Sequence, residues 1–256
     1  MAFVNQFAYT QARLQAQHGL RPSEQTWQRL AGTGDLASYL QIARHTTIRD
    51  WVVTLHPAST CHDIESTLRQ MFLSHVENVA RWQPGVWRAA VLWVKQLVLL
   101  PTLRHLLAGE PVPDWLREDR ELKAFTSENQ NQRIQALQIS EFAPVVRAWQ
   151  KNTEPTEAWL THWRRLWPQI SQYQQHALDR LCSVYQRYLE SLVASENQVM
   201  DRYTGLKIPL QYAFRNFSFQ PAAAFAHLGL IALDVQQLRA DLLQRCLFNR
   251  TGKEHP

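Results

Sequence analysis

Apolar side chains recur every three or four residues in three long segments of the chain, which is the spacing of one face of an α-helix. The recurring residues are Ile64, Leu68, Met71, Phe72, Val76 and Val79; Leu178, Leu181, Tyr185, Tyr188 and Leu192; and Phe225, Leu228, Ile231, Val235, Leu238 and Leu242. No segment alternates strictly between apolar and polar residues, as a half-buried strand does. Glycine, at 8 of 256 residues, is scarce for the tight turns of a sheet. The sequence therefore predicts an all-α protein.

Two of these apolar stripes predict which side chains stabilise the fold. Leu68 and Leu181 lie in the middle of their stripes, and Arg69 lies on the opposite flank of its helix. Truncating a buried leucine to alanine costs about 2 to 5 kcal/mol, whereas truncating an exposed arginine costs well under ~1 kcal/mol. We therefore expect both leucines to be buried and Arg69 to be exposed.

Shorter helical segments lie between the long ones. They cover residues 2–17, 23–31, 35–54, 130–151 and 155–167. Two stretches are candidate joints, because Pro111-Val112-Pro113 resists helix and residues 126–131 lack an apolar face. We therefore expect an elongated multi-helix body of two or three similar helical subdomains. Residues 1–110 form the first and residues 111–256 the rest, with a boundary near residues 111–131.

The most apolar stretch of the chain runs from Val86 to Leu107. Arg88, Lys95 and Arg104 interrupt it, and each central charge costs about 2.5 to 3.5 kcal/mol on insertion into a bilayer. Pro101 lacks the backbone N–H of a regular helix and kinks it. The stretch is therefore predicted to be a buried core helix with a kink near Pro101.

The cellular compartment is predicted from the start of the chain and from its cysteines. Residues 1–6 lack the charged and apolar regions of a secretory signal peptide. Cys61, Cys182 and Cys246 are odd in number and widely spaced, so the sequence indicates neither a disulfide framework nor a redox pair. A reducing cytoplasm fits this pattern best.

Motifs for nucleotide, metal or hydrolytic chemistry are missing from the sequence. It contains no phosphate-binding loop, no dinucleotide fingerprint, and no HExxH or GxSxG motif. The segment Cys61-His62-Asp63 with Glu65 holds metal-ligand types, but on a helix only His62 with Glu65 or Ser66 shares a face. A helix start, which attracts acidic side chains, explains Asp63 and Glu65 without a metal. We expect no catalytic residue, bound nucleotide, metal or other cofactor.

Four tryptophans gather near a pair of arginines. Trp149, Trp159, Trp163 and Trp167 lie close to Arg164 and Arg165, and the chain has a formal net charge of +5. An aromatic platform beside basic side chains is one way to bind nucleic acid. However, three of these tryptophans recur at intervals of four residues, as a buried helix stripe does. We favour a core or subunit contact and expect no nucleic acid partner.

Both ends of the sequence resemble one known family. Near the start, Tyr9 and Arg13, the segment from Leu36 to Thr47, and Ile64-Glu65 with Leu68 match its motifs in order and spacing. Near the end, Pro209-Leu210-Gln211-Tyr212 and the helix from Phe225 to Arg239 look like its closing element. These segments are similar to the d or C subunit of V-type and archaeal-type ATPases. Residues 100 to 200 lie outside the resemblance.

The chain is shorter than typical members of the family and departs from the family pattern in two places. The family has an aspartate and an asparagine on an inward-facing helix, where this chain has the segment from Trp93 to Gln96. Its closing helix has a glutamate pair, where this chain has Ala232, Asp234 and Gln236. In both places the family has polar residues that this chain does not keep.

The resemblance implies a non-catalytic subunit at the cytoplasmic mouth of the proteolipid ring, peripheral to the membrane. Its partners would be the ring and the rotor shaft subunits. Arg13, Arg44 and Glu65 are polar groups in the matching segments and are our candidates for partner binding. Ordinary helix-face ion pairs or caps are their alternative roles. A helical adaptor or regulator that binds other proteins or nucleic acid, and a helical enzyme, stay open as alternative functions.

Overall fold

The computed structural model describes the backbone of residues 2–119, 121–193 and 199–251, and the side chains of residues 6–119, 121–187, 189–190 and 205–247. These residues form fourteen α-helices and no strand, and helix accounts for 75% of the chain. The α-helices are α1 (Ala2–Gly19), α2 (Glu24–Ala31), α3 (Leu36–Ala43), α4 (Arg49–Val52), α5 (Cys61–Trp82), α6 (Arg88–Leu92), α7 (Leu100–Leu107), α8 (Asp114–Glu118), α9 (Gln130–Gln138), α10 (Ala143–Trp149), α11 (Pro155–Arg165), α12 (Gln172–Val193), α13 (Val199–Asn216) and α14 (Pro221–Thr251). The all-α prediction is confirmed.

Polar side chains begin several helices by accepting hydrogen bonds from the free N–H groups of the first turn. Ser23 caps α2, Asp35 caps α3 and Asn129 caps α9. At the start of α5, Thr60 and Asp63 bond to each other's backbone N–H groups in a capping box. These bonds from Thr60 hold the pKa of Asp63 below its ordinary value. The acidic start of α5 is therefore a helix cap.

Helix α14 lies at the centre of the body and is buried on all sides along its first half. Every residue from Pro221 to Val235 is buried, and α1, α3, α5, α12 and α13 pack around this helix. The apolar stripe predicted for this helix is buried, and the other faces of its first half are buried as well, because a helix that is apolar all round belongs inside. Small residues allow the close packing. A Cβ atom at Gly229 would lie 3.1 Å from the Leu210 side chain of α13.

The long apolar stripes of α5 and α12 face the core, as predicted. Leu68 and Leu181 are each 1% exposed, and Leu178 and Tyr185 are buried beside Leu181. The side chains of Tyr188 and Leu192, which continue the predicted stripe, lie outside the described residues.

The expectation that Arg69 is exposed is wrong. Its side chain is 10% exposed and forms an ion pair with Asp119, whose side chain is 1% exposed. Helix α5 is therefore covered on this flank too, by the segment that follows α8. Helical periodicity could not reveal this contact, because Asp119 is fifty residues away in the sequence.

Some segment boundaries also differ from the sequence prediction. The predicted helix over 35–54 is interrupted by turns between α3 and α4, and the one over 130–151 is interrupted between α9 and α10. Helix α13 was not predicted, because Gly205 and Pro209 lie within it and both residues disfavour helix. Burial of Leu210 and Phe214 against neighbouring helices stabilises α13 in spite of them.

Most apolar side chains from Val86 to Leu107 are buried, but the segment is not one kinked helix. It consists of α6, a 3₁₀ helix over Trp93–Val98, and α7, with a bend of 66° between Gly85–Val98 and Leu100–Leu107. Pro101 lies in the first turn of α7, where its missing N–H costs nothing. No single helix among the described residues has the length and apolar composition to cross a membrane. This bent pair meets both criteria only when its two parts are taken together.

The two predicted subdomains share one hydrophobic core. Buried residues from Phe7 to Cys246 form a single cluster. Trp93 and Trp159 each donate an indole N–H to the other's carbonyl, at 3.1 and 3.3 Å, across the predicted boundary. Trp163 donates in the same way to the carbonyl of Ala90 at 3.1 Å. The division near 111–131 stays a prediction, and the core is continuous across it.

Candidate functional site

Arg13, the first candidate for partner binding, lies on an exposed aromatic surface where α1 packs against the end of α5. Its Nε donates to the Tyr9 hydroxyl at 3.2 Å. Its guanidinium carbon lies 5.6 Å from the ring centres of Tyr9 and Trp82, within the range of a cation–π contact. The Thr10 hydroxyl donates to the Trp82 carbonyl and fixes the two helices together. Tyr9 is 59% exposed. We call Tyr9, Arg13 and Trp82 the Arg13 surface.

Arg44 and Glu65 have partners within the chain. The Arg44 guanidinium donates to the carbonyl of Leu55, so it provides a hydrogen-bond donor for the backbone of the loop that follows α4. Glu65 accepts from Nε of Arg239 on α14 at 2.6 and 2.7 Å and so joins α5 to α14. The hydrogen bonds and ion pairs of the described residues connect none of the three candidates to another. They do not form one site, and partner binding by them stays a prediction.

A polar cavity of about 70 Å³ lies between the end of α1, α4, α5 and α14. Its charged and polar wall residues include Arg21, Asp50, His75 and Asp234. A space of this size holds a few water molecules or one small polar solute. No local sequence pattern indicates this cavity, because its walls come from four separate segments.

Arg21 and Asp234 form a buried ion pair beside this cavity. Nε of Arg21 lies 2.6 Å from one carboxylate oxygen and Nη2 lies 2.9 Å from the other, so the pairing is bidentate. Their side chains are only 7% and 9% exposed. Asp234 is one of the residues at which the chain departs from the family pattern. In this fold it anchors the segment after α1 to the central helix.

Three histidines from α1, α5 and α14 lie next to this ion pair. Nε2 of His75 is 3.0 Å from Nε2 of His227, so one ring donates and the other accepts. The His18 ring stacks on Phe214 with centroids 4.1 Å apart and lies 6.3 Å from His227. No group of three or more His, Cys, Asp or Glu side chains in the described part of the chain is arranged to hold a metal ion.

Burial disfavours the charged form of all three histidines. It lowers the pKa of His75 to about 4, and burial together with Arg21 and Arg215 lowers the pKa of His18 to about 4. The pKa of His227 lies well below 6.5, mainly because its ring is fully buried and also because His75, His18 and Arg21 are close. The cluster is therefore neutral at physiological pH.

We expect stability to fall as the pH is lowered from about 6.5 to about 4. The unfolded chain binds protons at its histidines first, because the folded pKa values are the lower ones. His75 alone contributes on the order of 2 kcal/mol to this loss near pH 4.5. Urea titrations near pH 7 and pH 4.5 measure it. His75→Gln should flatten the dependence, whereas His176→Gln, at an exposed position of α12, should not. An unchanged dependence in His75→Gln would contradict the assignment.

A second concave surface lies between α10 and α11 and is mainly basic. It has a volume of about 650 Å³, and its charged and titratable residues are Arg147, Lys151, Glu157, His162 and Arg165. Burial and then the charges of Arg165 and Arg147 lower the pKa of His162, which indicates a positive local potential. We call this surface the basic groove. Its charge suits an anionic ligand or an acidic partner.

The clustered tryptophans are part of the core, as favoured from the sequence. Trp159 and Trp163 are fully buried, and Trp149 and Trp167 are partly buried against the core cluster. Arg164, which follows Trp163, is exposed to solvent. Stacking of bases on Trp159 or Trp163 is therefore blocked by the surrounding helices.

The comparisons with known proteins give no relative for this chain. No family model matches it, and neither a curated protein nor a solved structure does. A functional assignment therefore rests on the sequence motifs and on the contacts of the residues that carry them.

Proposed function

We propose that the chain is a non-catalytic coupling subunit of a V-type or archaeal-type rotary ATPase. It would join the rotor shaft to the proteolipid ring at the cytoplasmic face of the membrane, without binding nucleotide. The basis is the resemblance at the two ends of the sequence. The contacts between those ends add a structural argument.

The segments that carry the resemblance are distant in sequence but pack together in the fold. Glu65 of the Ile64-Glu65 motif pairs with Arg239, which ends the matching part of α14. Tyr39, within the segment from Leu36 to Thr47, donates its hydroxyl proton to Asp241 of the same helix at 3.0 Å. Motifs inherited from one family are expected to lie close together in its fold. This convergence is the observation that best supports the proposal.

The Arg13 surface is our choice for the contact with the ATPase. Aromatic residues and arginine are enriched where proteins bind each other, because they combine apolar area with directed hydrogen bonds. Tyr9 and Arg13 are exposed and interact within one helix turn, whereas Arg44 and Glu65 each hold separate segments of the fold together. We therefore assign the docking role to Arg13 and structural roles to the other two.

Charge reversal at Arg13 tests this function. A tagged chain, isolated from its native membrane in mild detergent, should retain rotor shaft and proteolipid subunits, which mass spectrometry quantifies. Arg13→Glu should reduce their recovery at least ~10-fold, because it reverses a charge at the centre of the contact. Arg180→Glu, at an exposed position of α12, is the matched control and should leave recovery unchanged. The purified protein should not bind ATP.

The basic groove favours the adaptor as a second candidate function, with an acidic protein as its partner. The double variant Arg147→Glu with Lys151→Glu, in the same experiment, separates the two candidates, since both side chains are exposed. Recovery of a partner unrelated to any ATPase, lost with this variant but not with Arg13→Glu, would replace the coupling role. Recovery of nucleic acid alone would also reject it. ATPase recovery undiminished by Arg13→Glu would keep the role and reject the Arg13 surface.

A further inference from the structure

Two cysteines that are 185 residues apart in sequence are in contact in the fold. Sγ of Cys61, the first residue of α5, lies 3.2 Å from Sγ of Cys246 near the end of α14. A covalent S–S bond is ~2.05 Å long, so the two sulfur atoms must approach each other by about 1 Å for a disulfide to form. Both residues are reduced cysteines in this structure, with no disulfide between them. The wide spacing of the cysteines in the sequence could not indicate this contact.

The surroundings of the two thiols differ in a way that suits stepwise oxidation. Cys61 is partly exposed, so a small oxidant reaches it from solvent. Cys246 is 4% exposed and lies 3.6 Å from the carbonyl of Ser59 as well as against Cys61. Cys182, the third cysteine, is buried on α12, and burial raises the pKa of its thiol. Cys61 therefore combines access to solvent with a neighbouring thiol, that of Cys246.

We infer that Cys61 and Cys246 form a reversible disulfide when the protein meets a peroxide. Hydrogen peroxide converts the Cys61 thiol to a sulfenic acid and releases one water. The Cys246 thiol then attacks that sulfur, forms the S–S bond and releases a second water. The two thiols lose two electrons, which reduce one peroxide to two waters. A dithiol reductant restores both thiols by exchange. Transient disulfides of this kind are compatible with a reducing compartment.

The bond would tie the start of α5 to the end of the central helix. Glu65 and Arg239 already join these two helices within the next turns, so the cross-link reinforces an existing contact. It also closes a loop that spans most of the chain, which removes conformational freedom from the unfolded state. Oxidation should therefore stabilise the fold. This inference does not depend on the proposed ATPase role.

Thiol mapping of the full chain tests the inference. The reduced protein is treated with hydrogen peroxide, blocked with N-ethylmaleimide under denaturing conditions, digested and analysed by mass spectrometry. We expect a peptide that links Cys61 to Cys246, with Cys182 alkylated, and a rise in Tm of roughly 5 to 10 °C that dithiothreitol reverses. Cys182→Ser should behave like the natural chain. Cys61→Ser should abolish both the link and the rise in Tm.

Cys246→Ser and Cys246→Ala should likewise abolish the link. Both variants lack the thiol but differ in polarity at this buried position, so an effect that both share comes from loss of the thiol and not from a folding defect in one of them. An intermolecular disulfide, a link through Cys182, or a Cys61 sulfinic acid without any linked peptide would each overturn the inference. A linked peptide that leaves Tm unchanged would overturn its stabilising role.

Discussion

Replacing Asp234 with alanine should lower the free energy of unfolding by about 3 to 5 kcal/mol, because the change leaves the Arg21 guanidinium buried without its carboxylate. The two side chains are 7% and 9% exposed and are joined by bonds of 2.6 and 2.9 Å. Water from the adjoining cavity can reach Arg21, but it does not supply the missing negative charge. Urea titration of the purified protein measures the loss.

A double replacement separates the strength of this pair from the cost of an unpaired charge. Arg21→Met combined with Asp234→Leu removes both charges and keeps most of the volume, so it should lose much less stability than Asp234→Ala alone. Glu118→Ala, at an exposed position of α8, should change stability by less than ~0.5 kcal/mol. A loss below ~1 kcal/mol in Asp234→Ala would show that water alone compensates the unpaired charge of Arg21.

Local sequence signals predicted the helices that begin with a cap or a proline and carry a regular stripe. Helix α5 begins after its capping box at Thr60, and α11 begins at Pro155. The signals failed for α13, because Gly205 and Pro209 disfavour helix in isolation and only packing on other helices overrides them. They also could not show that the first half of α14 is surrounded. The spacing of apolar residues predicts one buried face of a helix. Whether its other faces are also buried depends on how many helices pack around it.

The candidate sites were harder to predict, because they are built from residues that are far apart in sequence. His75 and His227 are separated by 152 residues, and Cys61 and Cys246 by 185. His227 carries one local signal, since it lies in an otherwise apolar run where a polar ring needs a partner. No local signal marks Cys246. Arg13 was found through a motif, and its exposed position is consistent with that choice without testing it.

Truncation of Arg69 to alanine should cost about 3 kcal/mol, in contrast to the small loss expected for an exposed residue. Its guanidinium pairs with the Asp119 carboxylate, which is buried and also accepts backbone N–H groups of Glu121 and Leu122 at 3.0 and 3.1 Å. These two bonds keep part of the carboxylate satisfied when Arg69 is removed. The negative charge nevertheless stays out of water without its cation, and that cost dominates.

Leu68→Ala and Arg81→Ala are the two reference variants against which Arg69→Ala is compared. Leu68→Ala should cost about 2 to 5 kcal/mol by opening a cavity between α5 and its neighbours, so adjacent residues on opposite flanks should both prove important. Arg81→Ala, at an exposed position of the same helix, should cost well under ~1 kcal/mol. Denaturant titration of the three variants shows whether the Arg69 flank of α5 is exposed to solvent or enclosed. If Arg69→Ala behaves like Arg81→Ala, that flank of α5 faces solvent and the segment after α8 does not cover it. If it behaves like Leu68→Ala, α5 is enclosed on both flanks, because only a buried ion pair makes an arginine as costly to remove as a core leucine.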